Sequence, residues 1–317
     1  SYQIAERLGD EELTLTFTFW MTSGMISQDP RRALEQLEYV IESAHKYGRR
    51  ELEAHALATT AVAHARLGEF AEAQDAVQRA YAAARAANLP VNQADVALLA
   101  ALAYFDMGDV QRGLEHSKWG TEKALSAQGL ECAMYGLYTT GLGNLRTRDL
   151  VEAQRAFESS LKLLTDHVSE IEGSEHVINQ VRAGLAITQF FSGRIEAIND
   201  MERTLKNAEA LGDEYTVARI AQALGEGYTQ LGDFERAERH LNTALDYYRR
   251  NDMRPYQARV LQSLVYWYEQ QGRGAEAEQA RAEVHQLMEE LHLPPVRPLS
   301  SEPLGADEPR PAGSAER

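Results

Sequence analysis

Apolar residues recur at helical spacing along most of the chain. Within residues 214–231, Val217 and Leu224 lie two turns apart, a spacing that places their side chains on one face of an α-helix. A second apolar stripe begins at Phe234 and continues through Leu241. The pattern predicts two amphipathic helices joined by a very short turn.

The turn between these helices has its own signature. Residues 231–237 read "LGDFERA", and residues 67–73 read "LGEFAEA". Gly232 supplies the left-handed backbone conformation that commonly ends a helix. Asp233 follows it and suits the N-cap of the next helix, because its carboxylate can accept a free backbone N–H. The segment therefore predicts the tip of a helical hairpin.

Comparable turns recur along the chain at a nearly constant interval. They are centred at Gly68, Gly108, Arg148, Gly193, Gly232 and Gly272. The spacings are 40, 40, 45, 39 and 40 residues, and a further step of 40 towards the N-terminus reaches "SQDPRRA" at 27–33, where Asp29 and Pro30 suit a helix start. Seven units of about 40 residues predict a helical-repeat solenoid.

One stretch contradicts this periodicity locally. Residues 13–19 read "LTLTFTF", and their strict alternation of apolar residues and threonine is typical of a β-strand. The repeat phase instead predicts the first helix of unit one, with Leu13, Phe17, Trp20 and Met21 on one face. We follow the phase, because the other six units have a helix at this place.

The repeated positions resemble the tetratricopeptide repeat (TPR). Unit six has the typical residues Leu224, Gly225, Tyr228, Gly232, Ala237, Leu241 and Ala244, and unit two has Ala61, His64, Gly68, Ala73, Val77 and Ala80. The resemblance spans about residues 10–293. It implies an all-α fold, a right-handed superhelical solenoid of about seven antiparallel helix pairs. The long repeats are similar to the sensor regions of bacterial signal-transduction ATPases, maltose-regulator-type activators and nucleotide cyclases.

Two short segments flank the predicted solenoid. Residues 1–9 resemble the end of a second helix, which indicates a truncated preceding repeat and hence a piece of a larger protein; the alternative is a processed N-terminus with a short lone helix. Residues 294–317 are rich in Pro, Ser, Glu and Gly without periodicity. This composition predicts a disordered tail.

Composition narrows the classes of function. The net charge of −16 argues against nucleic acids and anionic membranes as partners. A single cysteine, Cys132, excludes an internal disulfide, and no apolar run is long enough for a membrane span, so we expect a cytoplasmic protein. We find no phosphate-binding loop, dinucleotide fingerprint or metal-binding motif. The sequence thus predicts no catalysis, no cofactor and no metal.

The resemblance also implies which residues face a ligand, because the first helix of each TPR lines the concave surface. By their offsets from the turns, these positions are Leu98, Leu102, Phe105, Tyr135, Tyr138, Leu142, Arg146, Ile187, Phe190, Arg219, Gln222, Glu226, Arg259, Gln262 and Tyr266. The central units contribute apolar and aromatic residues, and the C-terminal units contribute polar ones. The alternative is that long helices bury these residues against one another.

We therefore expect a non-catalytic recognition module within a larger signalling or regulatory protein. A peptide or protein segment bound in the concave groove is the first hypothesis for its partner. The alternatives are a small-molecule-sensing regulatory domain and a structural spacer or scaffold with no ligand. Self-association through the N-terminal end is a further hypothesis, since Leu13, Phe17 and Trp20 lose the cover of a preceding repeat.

Overall fold

The computed structural model describes residues 11–167, 174–294 and 298–305. Over these ranges the chain forms fourteen α-helices and no β-strand. In chain order they are α1 (Glu11–Met25), α2 (Pro30–Lys46), α3 (Arg50–Leu67), α4 (Phe70–Ala87), α5 (Pro90–Asp106), α6 (Val110–Ser126), α7 (Leu130–Thr147), α8 (Leu150–Asp166), α9 (Ser174–Phe191), α10 (Ile198–Leu211), α11 (Glu214–Leu231), α12 (Phe234–Arg250), α13 (Arg254–Gln270) and α14 (Gly274–Leu291). Consecutive helices pair, which gives the seven pairs that the repeat predicts.

The predicted turns separate the two helices of each pair. All six turn residues from Gly68 to Gly272 have positive φ angles, between +65° and +104°. Arg148 has a φ of +65° where the other turns have glycine, so the repeat imposes this geometry even on a residue for which it is unfavourable. The period of the sequence thus located every one of these turns.

Aspartates start several of the helices, as expected from their position after the turns. Asp29 and Asp233 each accept a hydrogen bond from a backbone N–H three residues on, at 3.0 and 3.1 Å. Asp109 and Asp149 do the same for α6 and α8. These bonds satisfy N–H groups that have no partner within the helix.

The alternating segment 13–19 is helical, as the repeat phase predicted. Its threonines fit a helix because each hydroxyl finds a carbonyl one turn back: Thr18 Oγ1 donates to the Thr14 oxygen at 2.9 Å, and Thr22 Oγ1 donates to the Thr18 oxygen at 2.7 Å. The buried face differs from the expected one, since Leu15 and Phe19 pack inward while Trp20 stays 59% exposed.

The fifth pair departs from the regular pattern. Its second helix begins as a 3₁₀ turn at Ile195–Ala197 and continues as α10, which has 14 residues. Ile198 stands where the repeat has a small residue, and its side chain is buried. This irregularity follows the sequence, in which Ile198 and Glu202 occupy positions where units two and six have alanine and a larger apolar residue.

The superhelix closes on itself. Tyr256, in the seventh pair, donates its hydroxyl to Asp106 of the third pair at 2.8 Å, and Arg259 donates to the Phe105 carbonyl at 3.1 Å. Arg31 on α2 forms an ion pair with Asp252 at 2.6 Å. These contacts between the two ends of the solenoid enclose a central space.

The two flanking segments are only partly described by the structure. Residues 1–9, which were predicted to be the end of a truncated repeat, lie outside the described residues. Of residues 294–317, predicted to be disordered, residues 298–305 have defined contacts at the mouth of the central space. No helix within the described ranges is long and apolar enough to cross a membrane.

The turn geometry gives a first prediction. We expect Gly232→Ala to lower the free energy of unfolding by about 1 kcal/mol, because an L-residue is strained at a positive φ. Gly232 has a φ of +75°, and a Cβ there would meet no atom of the described residues within 4 Å, so strain is the main effect. Urea unfolding measures it.

Gly274→Ala is the matched control. Gly274 is the first residue of α14, has no positive φ, and also faces open space in the described part of the chain. Alanine there should be neutral or slightly stabilising. Equal losses at both positions would show that the left-handed backbone is not the cause.

Candidate functional site

A central cavity of about 360 Å³ lies where the two ends of the solenoid meet. It is lined by the first helices α3, α5, α7, α9, α11 and α13, with contributions from α6, α12, Pro294, Pro298 and Leu299. A solenoid presents its first helices to the concave side. Closure of the superhelix therefore turns the concave groove into a partly enclosed site.

Most of the predicted groove residues reach this cavity. Ten of the fifteen line it: Leu102, Phe105, Leu142, Arg146, Ile187, Arg219, Gln222, Glu226, Arg259 and Gln262. They include the apolar residues of the central pairs and the polar residues of the C-terminal pairs. The offset from each turn thus identified the cavity-facing side of the helices.

Leu98 and Phe190 lie in the core rather than on the cavity wall. Phe190 has no exposed surface and packs edge-on against Phe191 at 5.1 Å between ring centres. Leu98 is buried beside Gly120, whose missing side chain leaves room for it. The alternative raised by the sequence, burial of groove positions between long helices, applies to these two residues.

The remaining three predicted residues are tyrosines outside the cavity lining. Tyr138 is buried, and its hydroxyl accepts a hydrogen bond from Arg219 Nη1 at 2.5 Å. Burial raises the pKa of Tyr138, although Arg219 opposes this by lowering it. Tyr138 lies outside the cavity lining and therefore positions Arg219, which lines the cavity, through this hydrogen bond. Tyr135 is exposed and Tyr266 is partly buried.

Several residues of the cavity wall were missed from sequence. They include Arg66, Asp106, Tyr215, Tyr248 and Tyr256. A signal was present for two of them: Arg66, Asp106 and Arg146 each lie two residues before their turn and are 40 residues apart. Stacking of repeats makes such equivalent positions neighbours, so the repeat period alone could have grouped them.

Asp106 is the centre of a buried charged cluster. Its Oδ1 accepts from Arg146 Nη2 at 3.0 Å and from the Tyr256 hydroxyl at 2.8 Å. Arg259 Nη1 lies 3.8 Å from Oδ1, and Arg66 Nε lies 4.0 Å from Oδ2. Only 2% of Asp106 is exposed. One carboxylate thus faces three guanidinium groups.

Aromatic rings cover the arginines of this cluster. The Arg66 guanidinium lies 4.5 Å from the centre of the Tyr215 ring, and that of Arg259 lies 4.8 Å from the Tyr256 ring. Such cation–π contacts are favourable where water is excluded. Burial, and next the Asp106 charge, raise the pKa of Tyr256 well above its usual value. Tyr256 therefore stays a neutral donor to Asp106.

The second carboxylate of the cavity, Glu226, has only neutral donors as hydrogen-bond partners in the described structure. Its Oε1 accepts from Ser263 at 2.6 Å and from Gln222 at 3.1 Å, and its Oε2 accepts from the backbone N–H of Leu299 at 2.7 Å. Burial raises the pKa of Glu226, and these hydrogen bonds partly offset the rise. Glu226 thus connects the cavity to the C-terminal segment.

Residues 298–305, here called the C-terminal segment, are held at the cavity mouth mainly through their backbone. Arg148 donates to the carbonyls of Pro298 and Leu299 at 2.9 and 3.0 Å. Gln230 donates to the Glu302 carbonyl at 2.6 Å. Side chains from the fourth and sixth helix pairs therefore bind the same segment.

Apolar contacts add to this binding. Leu299 and Leu304 are partly buried against the core formed by the C-terminal helix pairs. The backbone N–H of Gly305 donates to the Phe191 carbonyl at 3.2 Å. The prediction of disorder for these residues rested on their composition. Composition contains no information about a docking surface that other parts of the chain form.

The cavity offers no evident metal site. Within the described ranges no group of three or more His, Cys, Asp or Glu side chains could hold a metal ion. The polar groups of the cavity are mostly arginine, tyrosine and amide side chains. Guanidinium groups donate hydrogen bonds and do not accept them, so this set is suited to a ligand that supplies acceptors.

Comparisons with known proteins agree with the repeat. The family model for the tetratricopeptide repeat matches residues 178–250. No curated protein matches the chain in sequence at a significant level.

Three solved structures show the fold over most of the chain. One is a Rap protein complexed with competence and sporulation factor (TM-score 0.68, 14% identity, 92% of this chain and 81% of that one). A second is NprR in complex with its cognate peptide NprX (TM-score 0.61, 14% identity, 92% and 87%). A third is aspartyl phosphate phosphatase F from Bacillus subtilis (TM-score 0.60, 11% identity, 90% and 73%). The chain is therefore an all-α solenoid with tetratricopeptide-type repeats, as its sequence predicted.

Proposed function

We propose that this chain is a non-catalytic recognition module that binds a peptide or protein segment in its central cavity. The observation that carries the proposal is the C-terminal segment at the cavity mouth. Arg148, Glu226 and Gln230 bind its backbone carbonyl and N–H groups, and among these three only Arg148 also contacts a side chain of the described segment, that of Glu302. Backbone recognition accommodates other sequences, so a second peptide can use the same donors and acceptors.

The cavity beyond the segment supports the same function. Leu102, Leu142 and Ile187 supply apolar surface, and Gln222 and Gln262 supply amide groups that suit a peptide backbone. NprR, which shares the fold, is described with its cognate peptide. That similarity is one of fold, and it makes a peptide the first ligand class to test. We further propose that the module serves as the sensor or interaction part of a larger signalling protein.

The proposal makes the C-terminal segment an internal competitor of any peptide ligand. A tethered segment acts at an effective concentration in the millimolar range when its linker is short. Leu299 and Leu304 are the apolar contacts of the segment. Replacing both with serine should weaken its docking without changing the cavity residues that the helices contribute.

The test uses a fluorescent peptide with the sequence of residues 298–305, PLSSEPLG. We expect it to bind the double variant Leu299→Ser, Leu304→Ser at least about tenfold more tightly than the unchanged chain, since losing two partly buried leucines costs more than about 1.4 kcal/mol of docking energy. Fluorescence anisotropy measures both affinities. Val151→Ser, which changes an exposed apolar residue on α8, is the control and should behave like the unchanged chain.

A library of soluble peptides then searches for better ligands. The double variant should retain a subset of peptides that compete with PLSSEPLG and that the unchanged chain retains less well. A groove that binds neither PLSSEPLG nor any library peptide, in either form of the protein, would leave the chain as a spacer and refute the proposed function.

A further inference from the structure

The charge of the cavity is opposite to that of the chain. The whole protein has a net charge of −16, but the cavity is lined by five arginines and only two carboxylates. The arginines are Arg66, Arg146, Arg148, Arg219 and Arg259. The wall thus has three positive charges in excess.

Contacts within the protein do not balance this excess. Asp106 is shared among Arg66, Arg146 and Arg259. Glu226 is engaged by Gln222, Ser263 and the segment backbone instead of by an arginine. At the cavity mouth, the Arg148 guanidinium lies 3.4 Å from the Glu302 carboxylate. Arg66, Arg146 and Arg259 therefore share a single negative charge, that of Asp106.

Two guanidinium nitrogens of the cluster also lack a hydrogen bond. Arg66 Nε and Arg146 Nη1 are shielded from solvent and donate to no atom of the described residues. The side chain of Arg66 is only 7% exposed. A buried donor without an acceptor costs free energy, and the cost is larger for a charged group. The cluster thus has two N–H donors available for a ligand that supplies hydrogen-bond acceptors.

Burial and a neighbouring like charge both act on Arg259. Burial, and after it the neighbouring charge of Arg146, lower the pKa of the Arg259 guanidinium. A ligand that brings a negative charge between these groups relieves the repulsion. Guanidinium binds carboxylate through two parallel hydrogen bonds, a geometry that a planar carboxylate matches well.

We propose that the cavity binds a carboxylate group of its ligand at Arg66, Arg146 and Arg259, with the rest of the ligand against Leu102, Leu142 and their neighbours. This inference rests on the proposed function and names the chemistry of the ligand that the cavity takes. A peptide's terminal or side-chain carboxylate and a free organic acid are two sources of the same group. The experiment separates them.

The first arm uses glutarate, a free dicarboxylate, with its neutral diamide as the comparison. At ionic strength matched with sodium chloride, we expect glutarate to raise the melting temperature in a concentration-dependent way and to give a one-to-one calorimetric isotherm. The diamide should do neither. If glutarate stabilises the unchanged protein no more than chloride does, this arm counts against the site.

Two variants locate the binding. Arg146→Gln should weaken glutarate binding at least tenfold, because it removes one charge and the free Nη1. It should still fold, since Asp106 keeps two arginines and Tyr256 as partners. Arg155→Gln removes an exposed arginine of α8 and should leave the affinity within twofold. Equal binding by Arg146→Gln and the unchanged chain would overturn the assignment.

The second arm compares PLSSEPLG with its C-terminal amide on the Leu299→Ser, Leu304→Ser variant. A tenfold or greater loss on amidation identifies a peptide terminus as the source of the carboxylate. Glutarate binding without such a loss identifies a free acid. If the two peptide forms bind equally and glutarate does not bind, the carboxylate site is refuted while the peptide-binding function stands.

Discussion

Replacing Phe190 by alanine is expected to lower the free energy of unfolding by about 3–5 kcal/mol, the usual cost of truncating a fully buried aromatic side chain. Phe190 has no exposed surface and contacts Phe191 edge-on. A Cβ at Gly227 would lie 3.1 Å from its ring, so α11 packs tightly over it. Because truncation leaves a cavity between α9 and α11, the loss exceeds the transfer free energy of the ring.

Urea unfolding followed by circular dichroism measures this loss. Tyr39→Ala is the control, since Tyr39 is 60% exposed on α2 and its removal should change stability by about 0.5 kcal/mol or less. Near-unchanged stability of the Phe190 variant, combined with weaker binding of PLSSEPLG, would return Phe190 to the binding surface that the repeat offset first suggested.

The fold was predictable because the repeat restates the same local information seven times. The left-handed turn, the aspartate cap and the apolar stripe predict the same helix boundaries in most units. This agreement favoured a helix for residues 13–19, the one segment whose local pattern predicted a strand. Residues 13–19 alternate like a strand, yet threonine hydroxyls can bond to carbonyls one turn back, as Thr18 and Thr22 do. Local alternation was a weak signal because β-branched residues remain compatible with a helix.

The site was predictable only as far as the repeat reaches. Offsets from the turns found ten residues of the cavity wall, including Arg146 and Arg259. They could not distinguish a groove residue from one covered by the next helix, as happened to Phe190. Burial depends on how closely neighbouring pairs approach, and this is set by residues such as Gly227 on another helix.

Closure of the solenoid was not predictable from the repeat. The contacts of Asp106 with Tyr256 and Arg259 join positions about 150 residues apart, and a period of 40 residues gives no information about which distant repeats meet. The same holds for the docking of Leu299 and Leu304. Such contacts depend on the accumulated curvature of the whole superhelix, to which each pair contributes a small rotation.

The charged cluster gives the second large prediction. We expect Asp106→Ala to lower the free energy of unfolding by about 3–5 kcal/mol, because removing one partner of a buried charge network leaves the others uncompensated. Asp106 is the only acidic residue among the described ones that forms ion pairs with Arg66, Arg146 and Arg259. Asp75→Ala is the control: Asp75 is exposed and lies 3.6 Å from Arg79, and an exposed pair contributes about 0–1 kcal/mol.

A small external carboxylate should partly restore the Asp106→Ala variant. Formate fits the space that the side chain leaves, and it can accept hydrogen bonds from Arg146 and Tyr256 as Asp106 does. We therefore expect formate to raise the melting temperature of this variant more than chloride of equal ionic strength, whereas neutral formamide has no such effect. The Asp75→Ala variant should respond to neither. A stable Asp106→Ala protein that ignores formate would show that the arginines do not need a counter-charge, and it would remove the physical basis for a carboxylate ligand in the cavity.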